Sequence, residues 1–229
     1  MQATVILPVK RFGDAKQRLL TALDRPQRAA LVKAMLTDVL VGATDARNVE
    51  RVIVVTSEGR AERLALGHAR RSATSIEVFE EPGDRGHPEA ATLGIVRAKA
   101  LGASCVALLA GDCPLLDADE LDAALGRMRP GRIAVVPDRH GTGTNALLMS
   151  PPDAIGPAFG PGSCARHSER AERAGYEVAV EPLASLALDV DTLEDLQQIA
   201  VILESGPDRA PTTAEALKAI GDVASGARE

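Results

Sequence analysis

Two carboxylates two residues apart, Asp189 and Asp191, close the apolar run Ser185-Leu-Ala-Leu, and a third, Asp112, closes Leu108-Leu-Ala-Gly. In extended chain a two-residue spacing sends both side chains off the same face. Paired carboxylates at that spacing are suited to a divalent cation. Asp112, with Gly111 allowing a close backbone approach, could ligate a hard cation between nucleotide phosphates. Asp191 has a second reading, as an N-cap with Glu194 three residues on, in which one of the pair serves only the fold.

Cations gather in another stretch, Val9-Lys-Arg-Phe-Gly-Asp-Ala-Lys-Gln-Arg-Leu19, which carries Lys10, Arg11, Lys16 and Arg18. Such a cluster can hold a triphosphate by charge-assisted hydrogen bonds. It is neither GxxxxGK[ST] nor GxGxxG, and a solvated basic loop fits the same residues. Gly160-Pro-Gly162-Ser163 reads as a turn into a helix N-terminus, where unpaired amides and the dipole favour an anion and Ser163 caps the helix. Gly141-Thr-Gly-Thr144 is a second small-residue loop suited to a compact ligand. His68, His87, His140 and His167 read as surface or pocket polar groups.

The composition narrows the partners. Lys plus Arg number 26 against 32 Asp plus Glu, a net charge of −6, which argues against a general polyanion-binding surface. One Tyr, three Phe and no Trp leave no aromatic platform for stacking bases, so no nucleic acid is expected. Cys105, Cys113 and Cys164 are odd in number and widely spaced, as expected of buried thiols in a reducing compartment. No apolar run approaches the roughly 18 residues of a membrane helix, and Lys10 and Arg11 follow the first apolar run instead of preceding it, so a cytoplasmic protein with no membrane partner is expected.

The elements that must position these loops alternate. Val- and Ile-rich runs at 4–9, 51–56, 75–79, 105–110, 133–136 and 144–149 read as strands. Amphipathic stretches at 26–42, 60–70, 88–101, 163–174 and 193–203 read as helices, the first capped by Asp24 with Pro26 in its first turn. That alternation predicts an α/β fold with a mainly parallel sheet, whose ligands sit off the carboxyl ends of the strands. All the loops above follow strand ends or open helices. The chain divides into a domain over 1–204 and a C-terminal helical appendage over 205–229, the latter opening with a cap at Thr212-Thr-Ala-Glu215.

Together these loops resemble the CofC/FbiD family of guanylyltransferases of coenzyme F-420 biosynthesis, which share the fold of MobA-like nucleotidyltransferases. The resemblance covers most of residues 4–200. It is carried by VKRFGDAKQRL (9–19), GHP (86–88), GDCPLL (111–116), PDRHGTGTNALL (137–148), FGPGSCARH (159–167) and DVDTLEDL (189–196). It implies a single-domain, three-layer fold like that of nucleotide-diphospho-sugar transferases. It implies transfer of GMP from GTP to the phosphate of a small phosphorylated acid, with release of pyrophosphate. The acid is 2-phospho-L-lactate, phosphoenolpyruvate or 3-phospho-D-glycerate according to the member.

Residue by residue, the resemblance implies catalytic roles for Lys16 and Asp112, and Mg²⁺ on Asp112, Asp189 and Asp191. Lys10 and Arg18 are further phosphate contacts. Thr144, Gly162 and Ser163 are acid contacts with Gly160 in the same turn, and His140 is a group that could donate to the extra hydroxyl of 3-phosphoglycerate. The implied partner is a lactyl- or enolpyruvyl-transferring enzyme of the same pathway, with a homodimer left open. One departure stands out: Glu89-Ala-Ala-Thr-Leu-Gly94 replaces a stretch that usually contains Asn, so Thr92 offers only a hydroxyl for base recognition and Leu93 nothing. Two alternatives are a nucleotidyltransferase acting on a sugar phosphate or molybdopterin, and a silent nucleotide-binding module. The three aspartates speak against the second.

Overall fold

Short Val- and Ile-rich strands with no polar face can be buried only if helices cover both sides of their sheet. The computed structural model, which describes residues 2–14, 16–81 and 87–221, has that arrangement. Its strands are β1 (Ala3–Val9), β2 (Val49–Thr56), β3 (Ser75–Glu80), β4 (Val106–Leu109), β5 (Arg132–Pro137), β6 (Thr144–Ser150) and β7 (Glu177–Val180). They form one sheet in the order β3-β2-β1-β4-β6-β5-β7. β1 pairs in parallel with β2 and β4, as do β2 with β3 and β5 with β7, while β6 runs antiparallel to β4 and β5. The expected mainly parallel sheet therefore holds, with one reversed strand.

The helices are α1 (Arg25–Asp45), α2 (Gly59–Ala69), α3 (His87–Ala100), α4 (Ala118–Gly126), α5 (Ser163–Arg173), α6 (Leu193–Ser205) and α7 (Pro211–Ile220). Strand periodicity sorts the core into two halves. Val5, Leu7, Val52, Val54, Ala107, Leu109, Ala146 and Leu148 face one side, against Leu31, Met35, Leu121, Leu196 and Leu217 of α1, α4, α6 and α7. Ile6, Ile53, Val55, Val106, Leu108, Leu147 and Met149 face the other, against α3 and α5. The result is three layers. α3 seats closely because Gly94 faces β1, where a Cβ would lie 2.3 Å from Ile6 Cγ2.

The caps explain where several helices begin. Asp24 accepts from the Gln27 amide and Gln27 reaches back to the Asp24 amide, so α1 starts as expected. At α6 the cap is Thr192, reciprocated by Asp195, and not Asp191, which is thereby left for other use. At α7 the expected Thr212 cap is replaced by a tertiary one. The N-cap, Ala210, has no polar side chain, and Asp38 of α1 accepts from the amides of Thr212 and Thr213 at 3.1 and 2.7 Å and from Thr213 Oγ1 at 2.6 Å. Ala210, Ala214 and Leu217 belong to the core half that contains α1.

Two elements lie outside the expected set, α4 and β7. α4 has a legible signal, Asp117 accepting from the Glu120 amide at 2.9 Å. β7 has only four half-exposed residues, too few for a periodicity, and is held at the sheet edge by ion pairs of Glu177 with Arg129 and Arg132.

Candidate functional site

From β1 the chain continues to β2 and β3 on one side, then returns as β4 on the other side of β1. Strand carboxyl ends part at such a switch point and leave a crevice. A cleft of about 580 Å³ lies there, lined among others by Lys10, Lys16, Arg18, Gly111, Asp112, Asp138, Thr144, Asn145, Gly160, Ser163, Asp189 and Asp191. Segments far apart in sequence thus meet in one place.

The loop after β1 is fastened at its base. Phe12 is fully buried, its amide donates to Glu58 Oε2 at 3.1 Å, and the Arg60 guanidinium lies 5.2 Å from its ring centroid. Hydrogen bonds from Arg60 hold the Glu58 carboxyl down to about 2. Lys16 follows in the left-handed region, φ 56° and ψ 44°, the one non-glycine residue with positive φ among the described residues. That conformation costs an L-residue energy, and it directs the ammonium into the cleft.

Lys16 Nζ donates to Asp112 and, at 2.8 Å, to Asp191 Oδ1. The lysine side chain is only 6% exposed, against 29% for Asp112 and 49% for Asp191. Burial opposes the charge on Lys16, but Asp112 and Asp191 outweigh it and raise the ammonium above its ordinary range. Asp191, although burial pushes it up, is held below the usual carboxylate value by Lys16, Arg18 and Lys10. Asp189 goes the other way: burial and the charge of Asp112 raise it, while Asn145 Nδ2 donates to its Oδ1 at 3.2 Å. The Val190 amide donates to the Asp112 carbonyl at 3.2 Å, tying the two acidic loops together. Lys16 is thus hydrogen-bonded to two of the three carboxylates, with Lys10 and Arg18 adding their charge to Asp191. Among the described residues no group of three His, Cys, Asp or Glu side chains is by itself arranged as a metal cage.

The loop between β5 and β6 is organised by Asp138, which sequence reasoning did not single out. Its Oδ1 accepts from the amides of His140 and Thr142 at 3.1 and 2.9 Å, and its Oδ2 from Gly143 at 2.9 Å. A Cβ on Gly143 would lie 2.6 Å from that Oδ2. Arg139 straps the same loop to α6 through Asp195 and Glu194, at 2.6 and 3.3 Å. His140, expected at the acid site, is exposed and does not line the cleft; Arg139 Nε donates to its Nε2 at 3.1 Å. Its amide is held by Asp138 and its ring is engaged by Arg139, which accounts for the difference.

The 160–163 turn enters the cleft at Gly160 and Ser163 but not at Gly162, which forms the N-cap of α5 at φ 71°. Ser163 does not cap: its hydroxyl donates to Thr144 Oγ1 at 3.1 Å. Two amides here are also committed, Ser163 N–H to the Gly160 carbonyl at 3.0 Å and Cys164 N–H to that of Thr142 at 3.1 Å. Hydroxyls rather than these amides are left to meet a ligand. Behind them His167, fully buried, faces Thr144 Oγ1 with Nδ1 at 3.0 Å and accepts the Ala158 amide on Nε2 at 2.8 Å. Burial, then Arg170 and Arg166, push its imidazole down to about 4.

The stretch that departs from the expected Asn pattern lies on α3. Thr92 spends its hydroxyl on the Pro88 carbonyl at 2.8 Å and Leu93 packs into the core, so neither lines the cleft. Gly86 and the side chain of His87 lie outside the described residues. Cys105, Cys113 and Cys164 are free and buried, with burial raising each thiol.

The sequence matches the family described as guanylyl transferase CofC like over residues 3–222. The chain belongs to the CofC family. It is 42% identical over 207 residues to the phosphoenolpyruvate guanylyltransferase of Conexibacter woesei, covering 90% of each chain. It is 36% identical to the 3-phospho-D-glycerate guanylyltransferase of Phenylobacterium zucineum, covering 86% of this chain and 89% of that one. Among solved structures, a Desulfovibrio desulfuricans G20 protein classed with the nucleotide-diphospho-sugar transferases superposes with a TM-score of 0.75 at 19% identity, over 99% of this chain and 98% of the other. That likeness establishes the fold. In this CofC guanylyltransferase the cations and carboxylates of the candidate cleft converge off β1 and β4. No helix among the described residues is long and apolar enough to cross a membrane.

Proposed function

We propose that this CofC protein transfers GMP from GTP to the phosphate of a small phosphorylated acid, phosphoenolpyruvate or 2-phospho-L-lactate ahead of 3-phospho-D-glycerate, in coenzyme F-420 biosynthesis. The observation that carries the reading is the meeting, in one cleft, of the Lys10, Lys16 and Arg18 cations, the three aspartates and the Thr144–Ser163 hydroxyl pair. Cations and acids suit a triphosphate with its counter-ion, and the hydroxyl pair suits a compact carboxylate. His140 stands outside the cleft, so the group that would favour the extra hydroxyl of 3-phosphoglycerate is missing from it. Relatives named for phosphoenolpyruvate match at 35% to 42% identity, and one named for 3-phospho-D-glycerate matches at 36%.

In this reaction a phosphate oxygen of the acid forms a bond to the α-phosphorus as the bond from that phosphorus to the bridging oxygen breaks, and pyrophosphate leaves. No proton transfer is required, since the attacking phosphate is already ionised. The residues' task is to bring two anions together and hold them in line. Lys16 reaches the phosphates from its anchored loop, with Lys10 and Arg18 at the cleft margin. Asn145 orients Asp189, and the Asp138 knot fixes Thr144.

The donor set fits Mg²⁺. The carboxylates are hard oxygens, and Asp189 is shifted upward first by burial and then by the charge of Asp112. Mg²⁺ is normally held by one or two carboxylates together with substrate phosphates and water, so a ready-made cage is not needed. Asp112, Asp189 and Asp191 would hold it, and when bound it neutralises charge on the reacting phosphates. The test is pyrophosphate release from GTP with each of the three acids, with and without Mg²⁺, alone and coupled to the lactyl- or enolpyruvyl-transferring enzyme. Release with a sugar phosphate but none of the acids would replace this reading with that of a sugar-phosphate nucleotidyltransferase.

A further inference from the structure

His167 is a buried polar residue on the apolar stripe of α5, between Cys164 and Ala171, and the chemistry above makes no use of it. Its surroundings leave little freedom. The Ala158 amide can only donate, and it ends on Nε2 at 2.8 Å, so Nε2 is unprotonated. A neutral imidazole then carries its proton on Nδ1, 3.0 Å from Thr144 Oγ1, and must donate to that oxygen. Ser163 Oγ donates to the same oxygen at 3.1 Å. Both lone pairs of the threonine are taken, and its own proton is left for whatever occupies the cleft.

Counting protons gives the same answer if the bond between the two hydroxyls is reversed. Nδ1–H, Thr144 O–H and Ser163 O–H make three donors; two are used within the triad and one is spare. In the other tautomer Nδ1 would accept from Thr144, Thr144 would accept from Ser163, and no donor would remain. The pair would then present only lone pairs to an anion. The imidazole tautomer thus decides whether this wall of the cleft receives a carboxylate or repels it.

We propose that His167 is a positioning residue that commits the Thr144–Ser163 pair to donate one hydrogen bond to the carboxylate of the acceptor acid. This rests on the acid-binding reading of the cleft. The Ala158 amide is the device that fixes the tautomer, and the edge of Phe159, 5.2 Å away between ring centroids, packs against the imidazole.

The first test needs only the wild-type protein. Long-range ¹H–¹⁵N spectra of its histidines near neutral pH, with the His167 signals identified by their loss in His167→Asn, should show the Nδ1–H tautomer. An Nε2–H tautomer overturns the proposal and leaves the guanylyltransferase reading untouched. The second test uses two variants that split the ring. His167→Asn keeps an amide near the Nδ1 position, and His167→Gln places one near the Nε2 position. His167→Gln should raise the KM for phosphoenolpyruvate by about tenfold, the effect of roughly one lost hydrogen bond, with the KM for GTP unchanged. His167→Asn should stay near the wild-type KM. In a Thr144→Val background His167→Gln should add nothing. Equal losses in the two variants, or a rise in the GTP KM of the same size, would reduce His167 to a packing residue. A folded wild type that transfers GMP to none of the acids removes the cleft reading and this proposal with it.

Discussion

Lys16→Met removes the ammonium that is hydrogen-bonded to Asp112 and Asp191 while keeping a stem of similar length. Nζ lies 2.8 Å from Asp191 Oδ1, where at an effective dielectric of about 20 the attraction is about 6 kcal/mol. Dehydrating a side chain only 6% exposed takes much of that back. Breaking a buried pair by removing one partner costs about 3–5 kcal/mol. Here Asp112 and Asp191 are 29% and 49% exposed and water can replace the lysine. We therefore expect a stability loss of about 1–3 kcal/mol, read by urea unfolding. The effect on transfer should be larger. Loss of one preorganised electrostatic stabiliser lowers kcat/KM by about 10²–10³, or roughly 3–4 kcal/mol, read by pyrophosphate release at subsaturating GTP. Lys16→Gly separates charge from backbone: it relieves the left-handed strain at φ 56° yet should be as impaired as methionine. A folded Lys16→Met enzyme within threefold of wild type would refute the assignment of Lys16 to the phosphates.

Asp189→Asn and Asp112→Asn should each lower turnover by about a hundredfold or more, and Mg²⁺ titration should show weakened activation; folded variants with near-normal turnover would exclude the carboxylates as metal ligands. Asp38→Ala leaves the Thr212 and Thr213 amides without their acceptor, which should cost about 1–3 kcal/mol and first raise hydrogen exchange in α7; protection unchanged there would show that apolar packing alone docks the helix. Because His167 titrates near 4 in the folded state and near 6.5 when unfolded, the unfolded chain takes up the proton first. Stability present above about pH 6.5 should therefore fall by about 3 kcal/mol as pH drops to 4. His68, also lowered by burial, adds to the slope in the same direction, so the measurement is the difference between wild type and His167→Gln; equal slopes would contradict the buried neutral imidazole.

Much of this protein is written in local pattern. Continuous Val- and Ile-rich runs with no polar face marked the strands and required helices on both sides of their sheet. The Asp24 box and Pro26 marked the start of α1, and the carboxylates and cations could be named because they end apolar runs where ligand-binding loops lie. Other features depended on distance in sequence. Asp191 and Thr192 compete for the cap of α6 on equal local terms, and Lys16, 175 residues away, engages the one that the helix does not use. His140 and His167 look alike as isolated residues in polar contexts. Asp138 holds the amide of one and Arg139 its ring, while the α5 stripe carries the other beneath Thr144. The amides of Ser163 and Cys164 are open to an anion in local sequence but are already paired in the fold. The same holds for the start of α7, whose cap is supplied by Asp38, 175 residues from Thr213. Sequence states which groups are capable of a bond; only the packed chain decides which bonds are already spent.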